Sequence, residues 1–144
     1  MFYHFKIKKE SNGYWAECLE LEGCNAEADT MAEVETNMQD ALNLYLSEPF
    51  NSKVIFPLPF EKTPKMKGKL VKVSVDSSVA FSFLMRITRL QHHLTLSEMA
   101  KKLQYKNINT YAKLERPKTS NPELKTIAKI TRVFNNFPIG LVFA

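Results

Sequence analysis

Hydrophobic and polar residues alternate along the start of the chain in the pattern typical of β-strands. Residues 2–9 form one such stretch, in which the alternation turns His4 outward. A turn signal at residues 11–13 separates it from a second predicted strand at residues 14–19. Residues 24–28 have the length of a short third strand. The pattern therefore predicts an antiparallel hairpin followed by one further strand.

The period changes from strand-like to helical after Thr30. Apolar residues then recur three and four positions apart until Ser47. They are Met31, Val34, Met38, Ala41, Leu42 and Tyr45. Thr30 and Glu33 have the spacing of a capping box, and Pro49 ends the helical pattern. Three strands followed by one helix predict a small α+β layer, in which one helix face packs on one sheet face.

Residues 49–69 are rich in proline and lysine and follow neither period. Within them, residues 54–60 are predicted to be an extended segment lying on the first layer, and residues 62–68 an exposed linker. Residues 70–75 alternate strictly. They predict a strand that either completes the first sheet or pairs between two subunits. We place a domain boundary after this strand, between a first domain of residues 1–75 and a second of residues 76–144.

The second domain carries helical periods only. Its first helix is predicted to run from residue 77 to about residue 92. Its last helix is predicted to begin with a cap at Asn121 and to bury one apolar face. The residues of that face are Leu124, Ile127, Ala128, Ile130, Val133 and Phe134. The apolar tail at residues 137–144 is either core or dimer surface.

Between these helices, residues 95–116 are predicted to form two short amphipathic helices joined by a polar turn at residues 104–107. Thr95 and Glu98 form a capping box for the first helix, and Asn107 caps the second. The spacing turns Ile108, Tyr111 and Leu114 inward. It leaves Asn109, Thr110 and Lys113 pointing outward, beside Arg116. Outward amides and cations on the second helix predict a helix-turn-helix that enters the major groove of DNA. The alternative is a helical hairpin within a bundle.

Charge is distributed unevenly along the chain. Residues 1–50 hold three lysines against ten acidic residues, so their net charge is −7. The rest of the chain holds 17 basic residues against five acidic ones, a net charge of +12. A basic half suits a polyanion and an acidic half suits a basic partner, which favours two partners of opposite charge. The alternative is that each half is simply a solvated surface.

The composition bears on the cellular setting of the protein. No apolar run approaches the roughly 20 residues of a membrane span, and the N-terminus lacks the pattern of a secretory signal. Cys18 and Cys24 are too few for a disulfide framework. We therefore expect a cytoplasmic protein that does not associate with membranes.

The acidic residues of the first half do not have the arrangement of an active site. They cluster in one hairpin and its exit, whereas a two-metal nuclease needs carboxylates from different elements. Cys18 and Cys24 lack the second pair of ligands that a zinc site requires. His4, His92 and His93 have no acid or nucleophile partner visible in the sequence. We expect no enzymatic activity, no metal and no cofactor.

Short motifs in both halves are shared with one family. In the first half these are Gly13-Tyr14-Trp15-Ala16-Glu17, Leu21-Glu22-Gly23-Cys24 and Ala41-Leu42-Asn43-Leu44-Tyr45-Leu46. In the second half they are Tyr111-Ala112-Lys113-Leu114-Glu115-Arg116-Pro117-Lys118 and Asn121-Pro122. In these motifs the chain resembles the HicB antitoxin family of toxin–antitoxin modules, in its helix-turn-helix variant. Two departures are Glu22, where the family has proline, and a turn one residue longer than that of phage-repressor helix-turn-helices.

The resemblance implies a fold and a partner. The fold is a partial RNase H-like βββα(β) layer without nuclease activity, followed by an all-α, phage-repressor-like helix-turn-helix domain. The partner is the HicA toxin, a small basic ribonuclease with a double-stranded-RNA-binding fold and a catalytic histidine. An acidic antitoxin face would match that basic surface electrostatically. We predict that its toxin contacts are Glu17, Glu20, Glu22 and Glu27.

These inferences combine into a prediction of an antitoxin that neutralises its toxin and represses its own operon. The second domain would form a homodimer or a dimer of dimers on palindromic operator DNA. Predicted base contacts are Lys106, Asn107, Asn109, Thr110 and Lys113, with Asn109 suited to adenine edges. Predicted phosphate contacts are Thr95, Arg116 and Lys118. The alternative is a helix-turn-helix transcriptional regulator whose first domain senses a small ligand.

Overall fold

The computed structural model describes residues 1–47 and 52–144. It divides into two compact units, one of Met1–Leu46 and Phe56–Asp76, and one of Ser47–Ile55 and Ser77–Ala144. The first unit contains a four-stranded antiparallel sheet and one helix, and the second contains four helices. The predicted role of Pro49 in ending the first helix lies outside the described residues.

The sheet of the first unit has the strand order β3-β2-β1-β4. Its strands are β1 (Phe2–Glu10), β2 (Gly13–Cys18), β3 (Asn25–Ala28) and β4 (Lys69–Ser74). β4 pairs with β1 in antiparallel register from Phe2↔Ser74 to Ile7↔Lys69. The last strand therefore completes the sheet of its own chain, which is the first of the two predicted alternatives.

Gly13 begins β2 with a φ of +141°, in the region that favours glycine. A Cβ atom there would collide with the carbonyl oxygen of Ala28. The close approach of β3 therefore requires glycine at this turn.

The helix α1 (Met31–Leu46) contacts β2, β3 and β4 and covers one face of the sheet. Its buried residues are Val34, Met38, Leu42 and Leu46. The prediction had included the half-buried Tyr45 and omitted Leu46. Thr30 caps the helix as predicted, because its Oγ1 accepts a hydrogen bond from the backbone N–H of Glu33 at 3.2 Å.

Residues 56–68, which we call the strap, lead to β4. The Tyr3 hydroxyl donates a hydrogen bond to the Pro57 carbonyl at 2.8 Å. The ring of Phe56 packs on that of Tyr45, with 4.7 Å between centroids. This part of the strap thus lies on the first layer, as predicted. Residues 62–68 are mostly exposed, but they connect two parts of the first unit instead of linking the two units.

The second unit contains α2 (Ser77–Gln91), α3 (Leu96–Lys102), α4 (Ile108–Ala112) and α5 (Leu124–Val133). Short 3-10 turns follow α4 and α5, at Lys113–Glu115 and Ile139–Leu141. Every residue of α2 from 79 to 89 is buried. A helix buried around its whole circumference is a central core element.

The helix α5 differs from its prediction in both its start and its buried face. Its N-cap is Glu123 and not Asn121. Phe134 is buried, whereas Leu124 is 86% exposed and Val133 is 36% exposed. The core therefore covers the side of the helix that carries Ile130 and Phe134, and it leaves Leu124 and Val133 outside. In the tail, residues 137 and 142 are buried and Phe143 is 72% exposed, so the tail contributes to both core and surface.

Candidate nucleic-acid interface and acidic surface

The first helix of the predicted DNA-binding element has the predicted capping box. The Thr95 Oγ1 accepts a hydrogen bond from the backbone N–H of Glu98 at 3.1 Å. In return, the backbone N–H of Thr95 donates to Glu98 Oε1, also at 3.1 Å. These hydrogen bonds from Thr95 favour the charged carboxylate and hold the pKa of Glu98 below its ordinary value. Thr95 is exposed, so its hydroxyl group is accessible to a phosphate.

The turn between α3 and α4 is held by backbone geometry and a side-chain cap. Gln104 has a left-handed φ of 62°, and the backbone N–H of Tyr105 donates to the Ala100 carbonyl at 2.8 Å. Asn107 Oδ1 accepts from the backbone N–H of Asn109 at 2.7 Å. The predicted cap of the second helix is therefore present, and it fixes where α4 begins.

α4 is only five residues long and presents a mainly polar outer surface. Tyr111 is buried, and Asn109, Thr110 and Lys113 are exposed, as the spacing predicted. The predicted inward position of Ile108 is wrong, because this side chain is 45% exposed. The core of the unit packs against the end of α4, and the first residue of the helix extends beyond it.

A buried ion pair attaches the end of α4 to α2. Arg89 Nε and Nη2 donate to the two carboxylate oxygens of Glu115, at 2.7 and 3.0 Å. Arg89 Nη1 also donates to the Leu94 carbonyl at 3.1 Å, and the Tyr111 hydroxyl donates to Glu115. The Glu115 residue is 4% exposed. The cluster fixes α4 against the central helix through bidentate geometry.

The electrostatics of this cluster keep the arginine charged. Burial alone would lower the pKa of Arg89, but its hydrogen bond to Glu115 and the nearby charge raise the pKa above the ordinary value. Burial, followed by the Glu115 charge, raises the pKa of Tyr111 well above its usual range. The phenol therefore remains a hydrogen-bond donor. Sequence reasoning missed this cluster, although the four-residue spacing of Tyr111 and Glu115 was a usable signal.

The basic loop after α4 is held close to that helix. Thr119 Oγ1 donates to the Lys113 carbonyl at 2.8 Å, and Ser120 Oγ donates to the Leu114 carbonyl at 2.9 Å.

All the residues predicted to contact DNA are exposed in this unit. They are Thr95, Lys106, Asn107, Asn109, Thr110, Lys113, Arg116 and Lys118. Their role in DNA binding stays a prediction.

Three of the four predicted toxin contacts are accessible in the first unit. Glu22 and Glu27 are exposed, and Glu17 is half-buried. The Glu17 carboxylate lies 3.4 Å from Lys8 Nζ, in an exposed pair of little energetic weight. These residues form an acidic surface on β2, β3 and the turn between them, and its toxin-binding role stays a prediction.

Glu20 departs from the prediction, because its side chain is inaccessible to solvent. It accepts hydrogen bonds from the backbone N–H of His4 at 2.9 Å and from that of Phe60 at 3.1 Å. Its Oε2 also lies 2.9 Å from His4 Nδ1. A carboxylate enclosed by a strand and the strap cannot contact a partner at the surface. Glu20 is therefore not part of the acidic surface.

His4 is also placed differently from the prediction. It is 3% exposed, and its Nε2 lies 3.3 Å from Thr63 Oγ1. The ring of Phe60 stacks on the imidazole, with 6.1 Å between centroids. The face of β1 that alternation assigned to solvent is covered by the strap, so His4 has an acidic partner after all.

Cys18 and Cys24 are buried free cysteines. The backbone N–H of Cys18 donates to the Cys24 carbonyl at 2.9 Å. A hydrogen bond to the Cys24 thiol, together with burial, raises the pKa of Cys18, and the same bond lowers the pKa of Cys24.

Across residues 1–47 and 52–144, no three histidine, cysteine or acidic side chains form a group that could hold a metal ion. Over the same residues, no helix combines the length and apolarity that spanning a bilayer requires.

Comparison with known proteins gives one short similarity. No protein-family model matches this chain. The chain is 38% identical over 39 residues to the UPF0150 protein ssl0738 of Synechocystis sp.. The matched stretch is 27% of this chain and 54% of the relative, so the chain spans about half the length of the curated relative it matches.

Proposed function

We propose that this chain is a HicB-like antitoxin that neutralises a small, basic, HicA-type ribonuclease and represses its own operon by binding operator DNA. The short similarity to a UPF0150 protein supports this proposal, because UPF0150 proteins are related to HicB-like antitoxins. In this proposal the first unit is the partial RNase H-like toxin-binding domain. The second unit is the helix-turn-helix domain.

The observation that carries the DNA-binding proposal is the polar surface that the Arg89–Glu115 pair holds in place on α4. In helix-turn-helix proteins, residues at the start of the second helix contact base edges. Asn109 and Thr110 are exposed at that position, and Lys113 follows one turn later. An asparagine amide matches the paired donor and acceptor of adenine in the major groove.

The flanking residues suit contacts to the DNA backbone. Arg116 and Lys118 are exposed in the loop that packs against the end of α4, and Thr95 caps the first helix. Contacts of cations and hydroxyls with phosphates fix the register of a protein on DNA and carry affinity without sequence information. The surface thus separates into a base-reading part and a phosphate-binding part.

Exposed apolar residues at the end of the second unit support the proposed dimer. Leu124 and Phe143 are exposed, and Phe143 lines a groove of about 270 Å³ together with Phe81 and Ile127. An apolar surface of this kind in the same unit as the proposed DNA-reading element suits a two-fold interface. Two-fold symmetry in the protein matches a palindromic operator.

Binding measurements on two variants test the DNA-binding proposal. An operator duplex is first selected from a random-sequence library with the full chain. Asn109→Ala should weaken binding to the selected duplex by about tenfold or more and leave binding to unselected DNA unchanged. Lys118→Ala should weaken both equally. Equal loss on both duplexes for Asn109→Ala would contradict the base-reading role.

The acidic surface of the first unit supports the toxin-binding proposal. A basic ribonuclease would meet Glu17, Glu22 and Glu27 with charge complementarity, which speeds association and selects the partner. The proposal requires a small basic ribonuclease encoded in the neighbouring gene. The test is inhibition of that ribonuclease by the triple variant Glu17→Lys, Glu22→Lys and Glu27→Lys. We expect this variant to inhibit poorly.

A control variant for the toxin test changes the same number of charges elsewhere. It carries Glu10→Lys, Glu35→Lys and Asp40→Lys, all at exposed positions of the first unit. It should inhibit like the unchanged protein. If both triple variants lose inhibition equally, net charge and not the acidic surface is responsible.

One feature of the first unit favours the alternative of a ligand-sensing regulator. A groove of about 360 Å³ lies between α1 and β4, lined by Met38, Gln39 and residues 71–74. This is within the range of small-molecule sites. A regulator of that kind would change its operator affinity with a metabolite and would leave the neighbouring ribonuclease active.

A further inference from the structure

Ile108 is an exposed aliphatic side chain on the surface that we propose reads DNA. It is the first residue of α4 and is 45% exposed. A single exposed isoleucine is ordinary in a folded protein. This isoleucine is unusual because its neighbours along the chain, Asn107, Asn109 and Thr110, are all polar and exposed.

Local geometry holds Ile108 in a fixed position. The preceding residue, Asn107, caps α4 through the 2.7 Å hydrogen bond from the Asn109 backbone to its side chain. A β-branched side chain in a helix has one strongly preferred rotamer. Burying Ile108 against a partner would therefore cost little conformational entropy. The helix presents a rigid apolar group between two side chains that can donate and accept hydrogen bonds.

Only one base offers an apolar group at its edge in the major groove. Thymine carries the C5-methyl, and the other base edges present hydrogen-bond donors and acceptors. A helix that reads sequence with amides and one aliphatic side chain is therefore complementary to a site containing thymine. We propose that Ile108 is a specificity-determining residue that packs on a thymine methyl of the operator. This inference rests on the proposed DNA-binding function.

A protein partner is the competing occupant of this position. The second unit is basic, and exposed lysines lie near Ile108 along the chain in α3, the turn and the 3-10 turn after α4. They are Lys101, Lys102, Lys106 and Lys113, and they would repel a basic ribonuclease. The polyanion that suits this surface is DNA. We therefore commit to the thymine contact, and protein binding becomes an outcome of the test.

The test replaces thymine by deoxyuridine, one position at a time, in the duplex selected with the full chain. Deoxyuridine lacks only the methyl group and keeps the same hydrogen-bonding edge. At one thymine of each half-site we expect the unchanged protein to lose about fourfold in affinity, the effect of one buried methyl group. Ile108→Ala should bind the thymine duplex more weakly and should bind both duplexes equally at that position.

Two further variants serve as controls. Ile108→Val keeps the β-branched methyl groups and should keep the sensitivity to deoxyuridine. Leu44→Ala removes an exposed leucine from α1 in the first unit and should bind like the unchanged protein. If Ile108→Ala loses helical structure by circular dichroism, Ile108→Gln replaces it, because glutamine keeps a side chain of similar length and cannot reproduce the branched apolar contact.

The outcomes separate this inference from the function on which it rests. If no duplex is selected, the proposed DNA-binding function fails. If a duplex is selected but no thymine is sensitive, or if Ile108→Ala keeps the same sensitivity as the unchanged protein, the thymine contact is wrong and DNA binding stands. If Ile108→Ala binds DNA normally and loses inhibition of the neighbouring ribonuclease, Ile108 belongs to a protein interface.

Discussion

Among residues 1–47 and 52–144, each unit encloses one carboxylate, and the two carboxylates are held in different ways. Glu115 in the second unit pairs with a guanidinium that stays charged and accepts from a phenol. Glu20 in the first unit pairs with an imidazole and accepts from two backbone N–H groups. An imidazole has a neutral form at ordinary pH, but a guanidinium does not.

The two carboxylates also connect different kinds of structure. Glu115 joins the 3-10 turn after α4 to the central helix α2, and so it positions the surface that we propose reads DNA. Glu20 joins β1 to the strap at Phe60, and so it closes one face of the sheet. Two buried glutamates that cannot be told apart in the sequence therefore have different structural roles. Loss of Glu115 would release the surface on α4, whereas loss of Glu20 would release the strap from the sheet.

The largest expected effect follows removal of the acid from the arginine pair. Glu115→Leu leaves the Arg89 guanidinium buried without its carboxylate. It should lower the free energy of unfolding of the second unit by about 3–5 kcal/mol. Urea titration followed by helical circular dichroism measures this. Fluorescence of Trp15, the single tryptophan and part of β2, follows the first unit in the same titration.

A double variant checks the reason for that effect. Arg89→Met combined with Glu115→Leu removes both charges, and apolar side chains of similar size can replace a buried ion pair at little cost. The double variant should be more stable than Glu115→Leu alone. If it is less stable, the single variant loses stability through packing and not through a stranded charge.

A smaller effect is expected in the first unit. Glu20→Leu removes the acceptor of two backbone N–H groups but leaves no guanidinium buried without its partner. We expect a loss of about 1–3 kcal/mol in the unfolding free energy, measured by Trp15 fluorescence. Trypsin should also cut faster after Lys62 and Lys65, because the strap loses its hydrogen bond at Phe60.

The neighbouring exposed residue Glu61 supplies the control for this variant. Glu61→Leu should leave both the unfolding transition and the trypsin rate unchanged. If Glu20→Leu costs more than Glu115→Leu, the proposed difference between the two buried acids is wrong.

An exposed hydrogen bond at the cap of α3 extends the comparison to the surface. Thr95→Ala removes the acceptor for the Glu98 backbone N–H. It should lower the unfolding free energy of the second unit by about 1 kcal/mol. Thermal unfolding followed by circular dichroism measures it. Thr36→Ala, at an exposed position inside α1, should change the first unit less, because it caps no helix end.

The smallest effect depends on pH. Hydrogen bonds from Thr95 lower the folded-state pKa of Glu98 below its ordinary value of 4.5. A depressed carboxylate pKa contributes stability that is present above the unfolded pKa and is lost as the pH falls through the folded pKa. The unchanged protein should therefore lose more stability than Glu98→Gln on acidification below about pH 4.5. Parallel pH profiles for the two proteins would contradict this.

Sequence patterns predicted the parts of this structure that depend on nearby residues. The four strands, the capping box of Thr95 and the cap of Asn107 are set by neighbours within a few positions, and all are present. The outward placement of Asn109 also follows from helical spacing alone. These features could be predicted from the sequence because the residues that determine them are only a few positions apart in the chain.

The features that sequence reasoning missed depend on distant segments. His4 and Glu20 are buried because the strap covers them, through Phe60, 40 residues after Glu20, and Thr63, 59 residues after His4. Glu115 is buried by an arginine 26 residues earlier. Ile108 is exposed because the hydrophobic core of the second unit covers Tyr111 and Ala112 but does not extend to the first residue of α4. Periodicity shows which residues share a face but not whether another segment covers that face.

The pairing of β4 with β1 determines the order in which the first unit can be built during synthesis. β1 is an inner strand of the finished sheet, but its second neighbour leaves the ribosome only after the whole helix and the strap. Until then the nascent chain has an open strand edge and an uncovered His4. Open edges favour pairing with other chains. A fragment of this unit made for study should therefore extend through Asp76.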